Sequence, residues 1–264
     1  MLISHEVPIS LLKLSKVFND YDYCLLHLNY QYPEYRDFYK NTTRRVLLDN
    51  SLFELGDALT NEQLAQGVLD IKPTWYVVPD CLNDVWTTID RFEAFTKDYR
   101  DLPGKAIGVV QGKTLDDLRY CYQYMARNRF VDKIAIPFDS AAFAEYFPES
   151  TSTLVNWCYG RQAFIRELVR DGIFAKDKPH HLLGCSLARE FSCDLYKELP
   201  IESVDTSNPV VAAICNRRYE DIDGLSDKPS VKLCELIDST ISEGDPRYDT
   251  LLYNVKTFRR ICNE

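Results

Sequence analysis

Apolar residues along this chain fall into two rhythms. Short runs rich in Val, Ile and Leu recur at "YCLLHLNY", "RVLLDN", "TWYVVPD", "KAIGVVQG", "DKIAIPFD", "HHLLGCS" and "IESVDTSN". Between them lie "TNEQLAQGVLDI", "DVWTTIDRFEAFTKDY", "TLDDLRYCYQYMARN", "STLVNWCYGRQAFIRELVRDG" and "LAREFSCDLYKEL", where apolar residues are spaced by three and four. The first rhythm suits strands buried on both faces, the second helices with one apolar stripe. Several of these helices open on a capping residue: Thr60 with Gln63, Asn83, and Thr114 with Asp117. Strands alternating with helices imply a parallel sheet covered by helices. Seven strands, with an irregular eighth unit after Pro209, fit an α/β fold of the (β/α)8 TIM-barrel type better than an open sheet. No GxGxxG or P-loop motif follows the first strand, which argues against dinucleotide and P-loop folds.

Length supports the same fold, since 264 residues lie close to the ~250 typical of such barrels. Without a linker, repeat or low-complexity stretch, residues 1–264 are expected to form a single domain. No apolar run approaches the ~18 residues of a membrane span, and "MLISHEVPISLLKLSK" lacks the pattern of a secretory signal. The expectation is a soluble cytoplasmic protein with no membrane partner. Its nine cysteines are scattered singly with no CxxC pair, so they read as reduced, mostly buried thiols, with no zinc motif and no cofactor implied. The net charge of −9 argues against a surface coated for nucleic acid and leaves room for a local basic patch.

Candidate chemistry lies at the strand ends. Val46 to Leu48 runs straight into Asp49, and a carboxylate at the mouth of a buried strand is costly unless it is paired, hydrated or used. A single Asp there is ordinarily a turn former. Here, however, Asp80 ends the third run, Gln111 the fourth, Asp139 the fifth, Cys185 and Ser186 the sixth, and Asp205 the seventh. In a barrel these ends converge on one rim, where active sites of this fold are built. Asp139, opening "DSAAFAE", reads as a cap; Asp205, within "SVDTSN", fits a cap and a catalyst equally well. A metal hydrolase would place histidines on the rim, yet only His27 is a candidate, because His180 and His181 fall at the buried start of the sixth strand. No strand end carries a Schiff-base lysine. One nucleophilic carboxylate and one that shuttles a proton suit displacement at an anomeric carbon, with Asp80 and Gln111 holding the leaving group.

The ordered set "LLDNSLFELG", "YVVPDCLND", "GVVQGKTLDDL", "KIAIPFD", "HHLLGCS" and "ESVDTSNP" resembles the tRNA-guanine transglycosylase family, barrels that exchange guanine for a 7-deazaguanine. The resemblance covers roughly residues 46–209, with "GVVQG" the closest match. It implies Asp49 as general acid/base, Asp205 as nucleophile, Phe53 stacked on the base, and Asp80, Gln111, Leu183 and Gly184 lining and reading it. The mechanism implied is a double displacement through a covalent Asp205–C1′ intermediate.

Departures from that pattern bear on the substrate. The family's Gly-Gly after the first aspartate is Ser51-Leu52 here, and the Gly-Gly ending the fifth strand is Pro137-Phe138. Its CxCxxC-plus-His zinc subdomain has no counterpart after Pro209. The chain therefore resembles the shorter branch that inserts 7-deazaguanines into DNA, which makes DNA the expected partner and tRNA the alternative. Lys113, Arg189, Arg217 and Arg218, following strand ends, are the candidates to hold phosphates. Two rival readings keep the fold: a nucleoside or base hydrolase, and a non-catalytic partner subunit.

Overall fold

The computed structural model describes residues 1–220, 224, 225 and 227–263. Eight strands, β1 (Leu2–His5), β2 (Asp22–Leu25), β3 (Val46–Asp49), β4 (Trp75–Val77), β5 (Lys105–Val109), β6 (Lys133–Pro137), β7 (His180–Leu183) and β8 (Ile201–Thr206), pair in the order β1-β8-β7-β6-β5-β4-β3-β2, every pair parallel. The sheet curls into a nearly closed (β/α)8 barrel. The eighth strand is not the expected unit after Pro209 but β1, at the amino end. Only four residues long, with Ser4 and His5 among them, it lacks the apolar run that marks the others. Its polar residues find partners inside the fold: Ser4 Oγ donates to the Tyr21 carbonyl at 2.7 Å, and the His5 N–H donates to Asn19 Oδ1 at 2.8 Å, although His5 Nε2 is left without a partner among the described residues. Between β1 and β2 no ladder forms. Instead Asp20 closes the seam, donating its N–H to the Ile3 carbonyl at 2.9 Å and accepting the Ile3 N–H on Oδ2 at 2.8 Å.

Around the barrel run α1 (Leu26–Gln31), α2 (Pro33–Asn41), α3 (Leu52–Leu55), α4 (Asn61–Ile71), α5 (Val85–Asp98), α6 (Leu115–Arg127), α7 (Thr153–Arg170), α8 (Asn208–Ile214) and α9 (Pro246–Asn263). Thr60 and Gln63 form a reciprocal capping box on α4, as Thr114 and Asp117 do on α6. The cap of α5 is Asp84, accepting the Thr87 N–H, rather than Asn83, which takes a left-handed φ of 56°. Two segments depart from the periodicity. "YCLLHLNY" is strand only to Leu25 and then turns helical, because an unbroken apolar run serves either state when both of its faces are buried. "LAREFSCDLYKEL" gives two short 3-10 turns, Ala188–Phe191 and Asp194–Lys197. Its Glu190 is pulled fully inside by Arg161 of α7, and a regular helix with an outward charged face cannot do that.

Side-chain alternation in the strands sets up the site. Tyr23, Asp49, Val77, Val109, Pro137, Leu183 and Asp205 occupy corresponding inward positions and face one cavity at the carboxyl ends of the strands. All nine thiols are free.

Candidate active site

The cavity has a volume of about 440 Å³. Asp49, Phe53, Asp80, Gln111, Leu183, Gly184 and Asp205 all line it, so the residues proposed from five separate segments converge on one space. The wall is completed by a segment that periodicity does not single out, Asp227–Leu233, fastened to α3 where Lys232 Nζ donates to the Phe53 carbonyl at 2.8 Å.

Asp49 is buried at the end of β3, and its Oδ2 accepts the Ser51 N–H at 2.7 Å. The turn-forming role is therefore real, and Ser51 pays its conformational cost with a left-handed φ of 64°. Burial, then the neighbouring Glu54, pushes the Asp49 carboxyl well above the ordinary carboxylate range, against the Ser51 bond, which works the other way. The shift favours the protonated form of the carboxyl.

Asp205 is held differently. Its Oδ1 accepts the Gly184 N–H at 2.9 Å and sits 2.9 Å from His181 Nε2. It caps no helix: α8 follows Ser207 with no side-chain cap, and the Asn208 N–H goes to Thr206 Oγ1. His181, expected to lie out of reach at the buried start of its strand, is buried but touches the site. Two residues before Leu183, it shares that residue's inward face, a relation already present in the period of "HHLLGCS".

Asp80 and Gln111 form one unit. Gln111 Nε2 donates to Asp80 Oδ2 at 2.8 Å and Asn50 Nδ2 donates to Oδ1 at 2.7 Å, while Gln111 Oε1 accepts the Asn83 N–H at 3.1 Å. Burial raises the Asp80 carboxyl to about 6, with the two donors working against it. Each carboxylate oxygen retains a second lone pair, and the Gln111 amide a second hydrogen, for a ligand. The Gly184 peptide, expected to read a base, is instead engaged on both sides: its N–H by Asp205 and its carbonyl by Arg161 Nη2 at 2.9 Å. Arg161 is wholly buried, forks onto both oxygens of Glu190 and reaches the Ile136 and Leu183 carbonyls, so it fixes the ends of β6 and β7.

The aromatic wall comprises Phe53, Phe138 and Trp157. Phe138 meets Phe53 and Trp157 edge to face, with ring centroids 5.7 and 5.4 Å apart, and its own ring lies against the bare Cα of Gly184. Carboxyls that sequence reasoning missed also face the cavity. Glu6 was hidden because β1 was not recognised, and burial lifts it well above its ordinary range. Glu54 is lifted by burial to about 7, and its Oε2 is buried without a hydrogen-bond partner among the described residues. Asp139 lines the cavity and is not a cap; the 3-10 turn Ala141–Tyr146 follows Ser140, which makes no side-chain cap bond either.

The basic candidates lie outside the cavity lining. Lys113 is exposed beyond β5. Arg189 borders a separate shallow depression with Tyr159, Gln162, Ser192 and Cys193. Arg217 pairs with Asp227 at 3.5 Å, and Arg218 lies over the Tyr253 ring at 3.7 Å. Lys228 and Lys232 are the cations that do face the cavity, and burial lowers the Lys228 ammonium. Among the described residues, no cluster of His, Cys, Asp or Glu is grouped to hold a metal ion, and no helix is long and apolar enough to cross a membrane.

No known family model matches the chain, and no curated protein matches it.

Proposed function

We propose that this protein is a base-exchange transglycosylase that replaces guanine in DNA with a 7-deazaguanine. The observation that carries the reading is a pair of carboxyls facing one cavity, roomy enough for a purine base, in unlike settings. Asp49 is driven by burial to keep its proton, while Asp205 is clamped through Oδ1 by Gly184 and His181. One is poised to give a proton and the other to form a bond.

In the first half-reaction Asp205 Oδ2 attacks C1′, the C1′–N9 bond breaks, and the departing guanine takes the Asp49 proton. In the second, the incoming deazaguanine gives its N9 proton to Asp49 and attacks C1′, and the Asp205–C1′ bond breaks. Phe53 and Phe138 offer ring edges and faces to the base, and the Asp80–Gln111 unit offers hydrogen-bond groups to its edge. A base within a duplex cannot enter such a cavity, so the nucleotide is flipped out or single-stranded. The choice of DNA over tRNA rests on the resemblance to the short branch of the family.

A free nucleoside as substrate is the second reading, and the cavity's charge favours it. Glu6, Glu54, Asp139 and Asp227 face Lys228 and Lys232 around the lining, a poor setting for a phosphate backbone. Incubation with guanine-containing DNA and, separately, with deoxyguanosine, each with labelled guanine, decides between them. Label entering the oligonucleotide supports the first reading, label entering only the nucleoside the second, and label entering neither overturns both.

A further inference from the structure

Beneath the cavity a file of polar side chains leads up to Asp205. At its foot is Lys133, the first residue of β6, 1% exposed. Its ammonium pairs with Glu202 Oε2 at 2.9 Å, lies 4.0 Å from the centroid of the Trp75 ring, and reaches Ser203 Oγ at 3.5 Å. Ser203 Oγ is 2.9 Å from His181 Nδ1, and His181 Nε2 is 2.9 Å from Asp205 Oδ1. The members come from three adjacent strands, β6, β7 and β8, and Ser203 and Asp205 share one face of β8 because they are two residues apart.

The direction of the protons along this file follows from its lower end. An ammonium only donates. Its charge favours turning the Ser203 oxygen toward the lysine, and we take the hydroxyl hydrogen, for which the Tyr21 hydroxyl beside Ser203 competes, to point toward His181. Nδ1 then accepts, and a neutral ring carries its one proton on Nε2, where it is donated to Asp205. Four groups face this imidazole: Asp205 and Ser203 from β8, Lys133 from β6 and Arg161 from α7. Burial favours the neutral ring, the charges of Lys133 and Arg161 add to that preference, and Asp205 opposes it.

We propose that His181 is a positioning residue for Asp205, and that Lys133 at the foot of the file holds it as a singly protonated, Nε2–H imidazole. Such a ring clamps Oδ1 with a neutral hydrogen bond and leaves Oδ2 as the attacking oxygen; a second proton on Nδ1 would turn the clamp into an ion pair that dampens attack. Only this catalytic consequence rests on the proposed function.

The test is the side-chain 15N spectrum of the resting full chain labelled at histidine, with His181 assigned by the signal lost in His181→Gln. Wild type is expected to show a protonated Nε2 and a bare Nδ1 throughout about pH 5 to 8. In Lys133→Met, which keeps the length of the side chain and removes its charge, Nδ1 is expected to gain a proton within that range. Ser203→Ala gives an independent reading should Lys133→Met fail to fold: loss of the hydroxyl donor shifts the Nδ1 resonance. A wild-type ring protonated at Nδ1 overturns the proposal, as do variant spectra that coincide with wild type. No turnover is needed, so a wild-type protein that exchanges no base removes the proposed function and leaves this result intact.

Discussion

Gly184 donates its backbone N–H to Asp205 Oδ1 at 2.9 Å. This bond ties the carboxylate across to the neighbouring strand instead of to the helix that follows it, and it separates the catalytic reading of Asp205 from a capping one. Asp205→Asn keeps an oxygen that can accept from Gly184. The variant is expected to unfold within about 1 kcal/mol of wild type. It should nonetheless trap no protein–DNA adduct on a denaturing gel, where wild type, given DNA and no incoming base, traps one. Wild-type exchange by Asp205→Asn would sink the mechanism.

Asp49→Asn likewise preserves the acceptor for the Ser51 N–H, so the turn should survive. Loss of the transferable proton is expected to slow exchange of labelled guanine by roughly 10²- to 10⁴-fold. Unchanged circular dichroism alongside that loss assigns the effect to chemistry.

Raised carboxyls leave a mark on stability. Burial makes the folded pKa of Asp80 about 6 and of Glu54 about 7, against about 4 in an unfolded chain. Between those values the folded state binds more protons than the unfolded one, so stability falls as pH rises from about 4 to 7. Denaturant titrations over that range should show the decline, and Glu54→Gln should flatten its upper part. A ligand-free protein whose stability climbs steadily from pH 4 to 7 would contradict the burial of these groups.

Arg161 and Glu190 are both fully buried. Arg161→Met strands the Glu190 charge and is expected to cost about 3–5 kcal/mol. Adding Glu190→Gln to it removes the stranded charge and should recover part of the loss, which a two-by-two set of urea melts measures.

The barrel was legible in the rhythm of seven runs because strands buried on both faces advertise themselves as unbroken Val, Ile and Leu. β1 was not, since Ser4 and His5 are buried polar residues whose partners, Tyr21 and Asn19, are distant in sequence. Asp49, Asp80, Asp139 and Asp205 could be read from strand ends, whereas Glu6 and Glu54 could not. His181 was in principle readable from its parity with Leu183, but its polar character at a strand start argued for a structural role. Asp227–Leu233 carries no periodicity, so nothing local announces that it walls the cavity; its position is set by contacts such as that of Lys232 with α3. The placement of the basic candidates was the least legible, because a basic side chain after a strand end leaves its direction undetermined, and Lys113, Arg189, Arg217 and Arg218 all lie outside the cavity lining.

The packing of Phe138 on Gly184 constrains how this chain can diverge. A Cβ at position 184 would lie 2.3 Å from Phe138 Cδ1, and the φ of 71° there already disfavours any side chain. A smaller residue at 138 is tolerable by itself, at the loss of part of the aromatic wall. A larger one at 184 forces the phenyl ring to shift. The two positions are therefore coupled: a side chain at 184 requires the ring at 138 to move or shrink, and even then it meets the left-handed backbone.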